Sequence, residues 1–194
     1  MKKILTMAFL ALLFFASPAL ADSYVIDPAH TQIGFSAKHM VITNVKGRFK
    51  EFSGGFDFNE KTKKLENAAL DIAVKSIDTD VEKRDKHLRS PDFLNVEQFP
   101  KITFKQKAAG VTQDNGMWVT GDFTIRGVTR EIRLEGEFLG AVTDFQGNRR
   151  AGFTATGEIN RFDYGLNWNK LLELGGAIVS KKVKLILEVE GVRK

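Results

Sequence analysis

The feature that most limits how this chain can fold is a two-residue alternation that recurs along most of its length. In the clearest stretch, Ile132, Leu134, Gly136 and Phe138 alternate with Glu131, Arg133, Glu135 and Glu137. Successive side chains of a strand point to opposite faces, so the pattern specifies a strand with one apolar and one polar face. The same period runs through Ile33, Phe35, Ala37, His39 and Val41, and through Leu70, Ile72 and Val74. It returns in Met117–Ile125, in Ala151–Ile159 and in Val183–Val189. Asp114-Asn115-Gly116 and Gln146-Gly147-Asn148 supply hairpin turns between such runs. The expected fold class is all-β, with about eight antiparallel strands. A sandwich and a closed barrel both satisfy that pattern. Phe35, Phe104, Phe123, Phe138 and Phe153 fall on inward positions, interleaved with Gly121, Gly136, Ala151, Ala155 and Gly157. Small inward residues leave room for a cavity with an aromatic lining, yet the same glycines suit bulges and bends.

One segment departs from the alternation. Thr79–Phe99 reads as two short helices inserted between strands. Thr79-x-x-Glu82 fits a capping box before a helix from about Asp80 to Leu88. Ser90-Pro91 then suits a second helix start. Pro100 ends the insert and opens the next strand.

The first residues carry a processing signal. Lys2 and Lys3 precede the apolar run Ile4–Ala16, and Ala19-Leu20-Ala21 is an Ala-x-Ala cleavage site. Residues 1–21 are therefore expected to be a secretory signal peptide cleaved after Ala21, and residues 22–194 one exported domain, placed in the periplasm. A chain of that length holds a full core, which it needs, because it has no Cys for disulfides. Net charge falls from +5 to +3 without Lys2 and Lys3. So mild and scattered a charge does not point to nucleic acid. A transient contact with an anionic membrane surface and a homodimer are both compatible with it.

Few residues offer chemistry. Without Cys there is no thiolate nucleophile, and no G-x-S-x-G, H-E-x-x-H or glycine-rich phosphate loop occurs. Asp27-Pro28-Ala29-His30 with His39 has the residue types of a metal site, but it reads as a turn before a strand, so no metal is expected. His39 shares a face with Ile33, Phe35 and Ala37, and reads either as a core histidine or as a polar contact inside an apolar pocket. In the insert, Arg84, His87 and Leu88 share a helix face, so Arg84 and His87 read as loop contacts ahead of catalysis. No catalytic residue and no cofactor is assigned.

Several blocks in fixed order carry a resemblance. They include Asp27-Pro28-Ala29-His30 with Ile33-Gly34-Phe35, then Lys46-Gly47-Arg48-Phe49, Ser76-Ile77-Asp78-Thr79 and Arg84-Asp85-Lys86-His87-Leu88. Pro91-Asp92-Phe93, Phe99–Phe104, Thr124–Thr129 and Asn160–Gly165 follow. Together they make residues 22–194 resemble the YceI-like family of exported lipid-binding proteins. The resemblance implies an extended, lipocalin-like antiparallel barrel. It implies non-catalytic binding of a long isoprenoid, a polyprenyl lipid or polyprenyl quinone, for storage or transport. On that footing Phe35, Phe104, Phe123, Phe138 and Phe153 become lining candidates, with Phe93 and Leu94 near a mouth. His39 is a polar lining candidate, and Arg84, His87 and Arg161 are candidates to meet a head group. Ser180-Lys181-Lys182 stands where many relatives are expected to have an acidic residue. Two alternatives stay open: an exported enzyme on a lipid or quinone with His39 or His87 as general base, and a stress-related protein whose cavity its own side chains fill.

Overall fold

A computed structural model describes residues 21–40, 42–169 and 178–194. The expected signal peptide, apart from Ala21, and the inward position of Val41 lie outside the described residues. The strands are β1 (Asp22–Ile26), β2 (Gln32–His39), β3 (Thr43–Phe49), β4 (Phe52–Asn59), β5 (Lys64–Ala73) and β6 (Ile77–Asp78). After helix α1 (Glu82–Arg89) come β7 (Lys101–Val111), β8 (Met117–Ile125), β9 (Val128–Thr143), β10 (Arg149–Asn160) and β11 (Val179–Arg193).

All pairings are antiparallel and follow the order β1-β4-β5-β7-β8-β9-β10-β11, with β11 closing back on β1. Both β1 and β2 lie along β11, through Tyr24–Arg193 and Phe35–Leu185. They are two halves of one long strand path. β3 and β4 are likewise halves of the next path, and β5 and β6 of the third. Eleven strands therefore make an eight-path barrel, which removes free sheet edges. This resolves the choice between sandwich and barrel that alternation alone leaves open.

The breaks have local causes. Between β1 and β2, Pro28 has no N–H for a ladder, and the Asp27 carboxylate accepts the Ala29 N–H at 2.9 Å. Arg150 then ties this kink across the barrel wall, reaching Asp27 at 2.8 Å, Asp144 at 2.7 Å and Glu190 at 2.5 Å. A 3-10 turn, Val74–Ser76, interrupts the third path. The β8–β9 hairpin has the two-residue loop Arg126-Gly127, with φ of 52° and 74°. Both values are positive, as the type I′ turns that suit strand twist require.

The insert differs from its expected form. Its one helix starts at Glu82 with Val81 as N-cap, so Thr79 caps nothing. Asp80, at φ 63°, turns the chain between Thr79 and the helix. Thr79 lands beside the helix and gives both its N–H (2.9 Å) and its hydroxyl (2.5 Å) to the buried Asp85 carboxylate. The second expected helix is only a run of turns after Ser90. Its Phe93 N–H bonds the Ser90 carbonyl, but Asn95 takes φ 49° and stops propagation.

The glycines face the interior for a different reason from either one read in the sequence. A Cβ on Gly121 would lie 2.6 Å from the Phe104 ring, and one on Gly157 would lie 2.5 Å from Leu134. These glycines are seats against which a larger neighbour lies flat.

Candidate functional site

The barrel interior holds two cavities in line. The larger, about 180 Å3, lies beneath the α1 segment, and its wall includes Phe35, Phe123, Leu88, Phe93 and Leu94. The smaller, about 120 Å3, has Phe56, Met117, Ala155 and Phe153 in its wall. Each is at least about eight times the space of about 10–15 Å3 that one water needs. Ile33, Leu70, Phe104, Leu134 and Leu187 belong to both walls. A single layer of side chains thus forms a waist between two halves of one elongated space.

Sequence period accounts for the walls. Leu70 and Ile72 on β5, Phe123 and Ile125 on β8, and Leu185 and Leu187 on β11 are inward positions of alternating strands. The cap has another origin. The helix is mostly charged, so an apolar stripe does not hold it down. Hydrogen bonds do: Arg84 donates to the Thr79 hydroxyl and carbonyl at 2.7 Å each. Arg126 donates to the Phe93 carbonyl at 2.6 Å. The hairpin turn of β8–β9 therefore pins the residues that close the larger cavity.

The far end is packed. Tyr24 stacks on Phe56 at 5.2 Å, and Phe58 meets Phe138 and Phe153 at 4.9 Å each. Behind the rings, Glu60 accepts from the Tyr24 hydroxyl at 3.1 Å and from Arg149 through two bonds, one of 2.8 Å. The Arg149 guanidinium holds the Glu60 carboxyl below its ordinary range. Burial, aided by Glu60, pushes the Tyr24 phenol up to about 12.

The expected site residues separate. Phe35, Phe93, Leu94, Phe104 and Phe123 line the larger cavity, and Phe104 and Phe153 the smaller. Phe138 lines neither; its ring belongs to the packed end, with Lys63 Nζ 4.0 Å above it. His39 is at the last residue of β2, beyond Ala37, and is absent from both walls. Arg84 is bound to Thr79 and also lies outside the walls. His87 bonds Asp92 at 2.9 Å and sits edge-on between Phe93 and Trp168, at 5.0 and 4.9 Å, just outside the larger cavity.

Among the described residues, Arg161 is the one charged residue in the wall of the larger cavity. It donates to the Ser180 carbonyl at 2.9 Å, Trp168 at 2.9 Å, Val179 at 3.2 Å, and also Leu166. No carboxylate pairs with it among the described residues. Burial pulls its guanidinium below the ordinary value. Four carbonyl partners make it a staple between the 3-10 turn Arg161–Tyr164 and the start of β11.

The waist leucines, Leu88 and Leu166 were missed as wall residues; also missed was Trp168, which lies outside the walls and packs on Phe93 and His87. Leu70, Leu134 and Leu187 lie on alternating strand positions and read as ordinary core. Trp168 lies outside any period, so nothing in the sequence marks it. Asp27, His30 and Glu190 do converge, with ligand atoms within 4.8 Å of one another. The Arg150 guanidinium already bonds both carboxylates there and takes the place of a cation.

A YceI-like domain model matches residues 24–191. Protein YceI of Escherichia coli O17:K52:H18 is 37% identical over 195 residues, covering 100% of this chain and 98% of its own. The crystal structure of the Campylobacter jejuni YceI protein is 32% identical, with a TM-score of 0.71, over 81% of this chain and 90% of that one. A polyisoprenoid binding domain from Saccharophagus degradans, 18% identical, has the same fold, with a TM-score of 0.64 over 90% and 99%. The barrel, its capped cavity and these matches along the whole strand order agree: the chain belongs to the YceI-like family.

Proposed function

We propose that this protein binds one long-chain isoprenoid lipid, a polyprenyl lipid or polyprenyl quinone, tail inward, and stores or carries it in the periplasm without catalysis. The observation that carries this reading is the pair of apolar cavities in line across a one-layer waist. A flexible branched tail can thread such a space, whereas a broad rigid ligand cannot pass Leu70 and Leu134. The driving force is burial: each 100 Å2 of tail removed from water contributes about 2.5 kcal/mol. Supporting it by analogy, the Saccharophagus degradans domain of the same fold is described as polyisoprenoid binding. An enzyme with His39 or His87 as base gains little, since neither side chain borders a cavity. A barrel filled by its own side chains is at odds with the open space.

The test is organic extraction of the protein from its native host, followed by mass spectrometry. A stoichiometric polyprenyl species is expected. Leu70→Trp, which fills the waist, should then retain only shorter chains while keeping the fold. An empty wild-type protein, or equal long-chain retention by Leu70→Trp, contradicts the proposal.

A further inference from the structure

The two ends of the barrel differ in their exposed surface as well as in their filling. At the larger cavity's end, the β2–β3 hairpin turns through Met40 and Ile42, which are 40% and 81% exposed. Ala37 and Val179, at the base of that hairpin, line the larger cavity. The tip is held in place: the Met40 N–H bonds the Ile178 carbonyl at 2.8 Å, and the Ile42 N–H bonds the His39 carbonyl at 3.2 Å.

The outer face beside the tip is basic. Register places Lys184, Ser36 and Lys46 in one row across β11, β2 and β3. Ala37 and Val183 face the cavity, so this row faces out. Lys38, two residues beyond Ser36, continues it toward the tip, and Lys181 is exposed nearby. Lys182 and Arg48 on the same face are bound to Glu158 and Asp78. Lys38, Lys46, Lys181 and Lys184 have no carboxylate partner among the described residues. An exposed apolar tip above unpaired lysines is the arrangement that an anionic lipid surface complements: apolar side chains enter the acyl boundary while cations meet head groups.

The other end carries an apolar tip of its own. Phe145, on the β9–β10 hairpin, is 97% exposed, with Leu139 and Val142 beside it. There Arg149 is bound to Glu60 and Arg150 to Asp27, Asp144 and Glu190, and Lys63 lies over the Phe138 ring, so that of the cations around Phe145 Lys61 is left without a carboxylate partner among the described residues. That end is also sealed by the ring cluster. Among the described residues, the β2–β3 end sets an exposed apolar tip beside four unpaired lysines and against the wall of the larger cavity.

We propose that the β2–β3 end of the barrel is a docking surface for an anionic membrane, with Met40 and Ile42 inserted and Lys38, Lys46, Lys181 and Lys184 on the head groups. The surface acts whatever lipid the cavity takes, so its test is separate from identification of the cargo. Sedimentation is measured with vesicles of phosphatidylcholine plus phosphatidylglycerol and of phosphatidylcholine alone. Wild type is expected to co-sediment with the anionic vesicles and to lose at least about fivefold in binding as salt rises from about 0.05 to 0.5 M. Ile42→Asp should weaken binding about tenfold. The double variant Lys38→Glu with Lys46→Glu should weaken it comparably and abolish the salt dependence. Phe145→Asp should bind as wild type does. Each altered side chain is exposed, and circular dichroism checks that the variants stay folded. Equal binding to neutral vesicles, no binding to either, or loss through Phe145→Asp in place of Ile42→Asp overturns the proposal.

Discussion

At one end of the barrel, five rings and the Glu60–Arg149 pair fill the space between strands; at the other, the α1 segment spans a cavity that its side chains do not fill. Both ends are buried and both are rich in aromatics, so burial alone does not distinguish a plug from a cap. What differs is how each is held. The plug is packed ring against ring, with Phe58 0% exposed. The cap is fastened by hydrogen bonds at its edges, from Arg84 to Thr79, Thr79 to Asp85 and Arg126 to Phe93. Packing resists removal of any ring; edge fastening leaves the underside of the cap free to face a cavity.

The comparison is broken most sharply by truncating one ring at each end. Phe58→Ala should destabilise the delipidated protein by about 3–5 kcal/mol, because its neighbours surround it on all sides. Phe93→Ala should cost about 2 kcal/mol or less, since part of its ring already faces open space and fewer contacts are lost. Urea midpoints measure both. Equal costs would mean that the cap is packed as tightly as the plug.

Acid and alkali sharpen the contrast further. At the sealed end the Asp27 carboxyl is held down to about 2 by its hydrogen bond to His30 and then by Arg150, and Asp144 to about 2 by Arg150. Their stabilisation is complete above the unfolded value near 4 and is lost as pH falls from about 4 to about 2. In Arg150→Met the acid limb should flatten, losing most of the Asp144 share and part of that from Asp27. At high pH the sign reverses in protonation. Burial raises Tyr24 and Tyr164 to about 12, so their share is complete below about 10 and is lost as pH rises from 10 to 12. Denaturation midpoints across pH check both limbs; an acid limb unchanged in Arg150→Met would remove Arg150 from its role as hub.

The smallest effect belongs to Tyr164. Its hydroxyl is buried near Phe123 and has no hydrogen-bond partner among the described residues, whereas the Tyr24 hydroxyl has Glu60. Tyr164→Phe should therefore be neutral or stabilise by up to about 1 kcal/mol, while Tyr24→Phe should cost about 1 kcal/mol. A destabilising Tyr164→Phe, seen only in the lipid-loaded protein, would assign that hydroxyl to the cargo.

The alternation of β9 and of the other strands made the walls legible, because period two follows directly from strand geometry. Closure was not legible: pairing of β1 with β11 depends on register between the chain's two ends, which alternation does not encode. Phe35, Phe104 and Phe123 were readable as inward residues. Phe138 has the same signal, yet it pairs with Phe153 just before the register shift between β9 and β10, and its ring packs on Phe58 and Phe153 in the plug. His39 fails for another reason: it ends β2 one inward step beyond Ala37, and its cross-strand partner Val179 lines the cavity in its place. The insert misled most. Thr79-x-x-Glu82 has the spacing of a capping box, but a single left-handed residue, Asp80, redirected Thr79 to Asp85. Arg161 looked like a head-group ligand because side-chain charge is visible in sequence, while the four carbonyls that engage it are not.

The pairing of the first strand with the last carries a consequence in time. Tyr24 meets Arg193, and Ile26 meets Gly191, so the seam joins nearly opposite ends of the chain. The neighbours up to β10 can pair as the polypeptide lengthens, but β1 and β2 both wait for β11 before the ring closes. Long-range closure of this kind is slow to nucleate. A growing chain of this topology stays unsealed until β11 has been made.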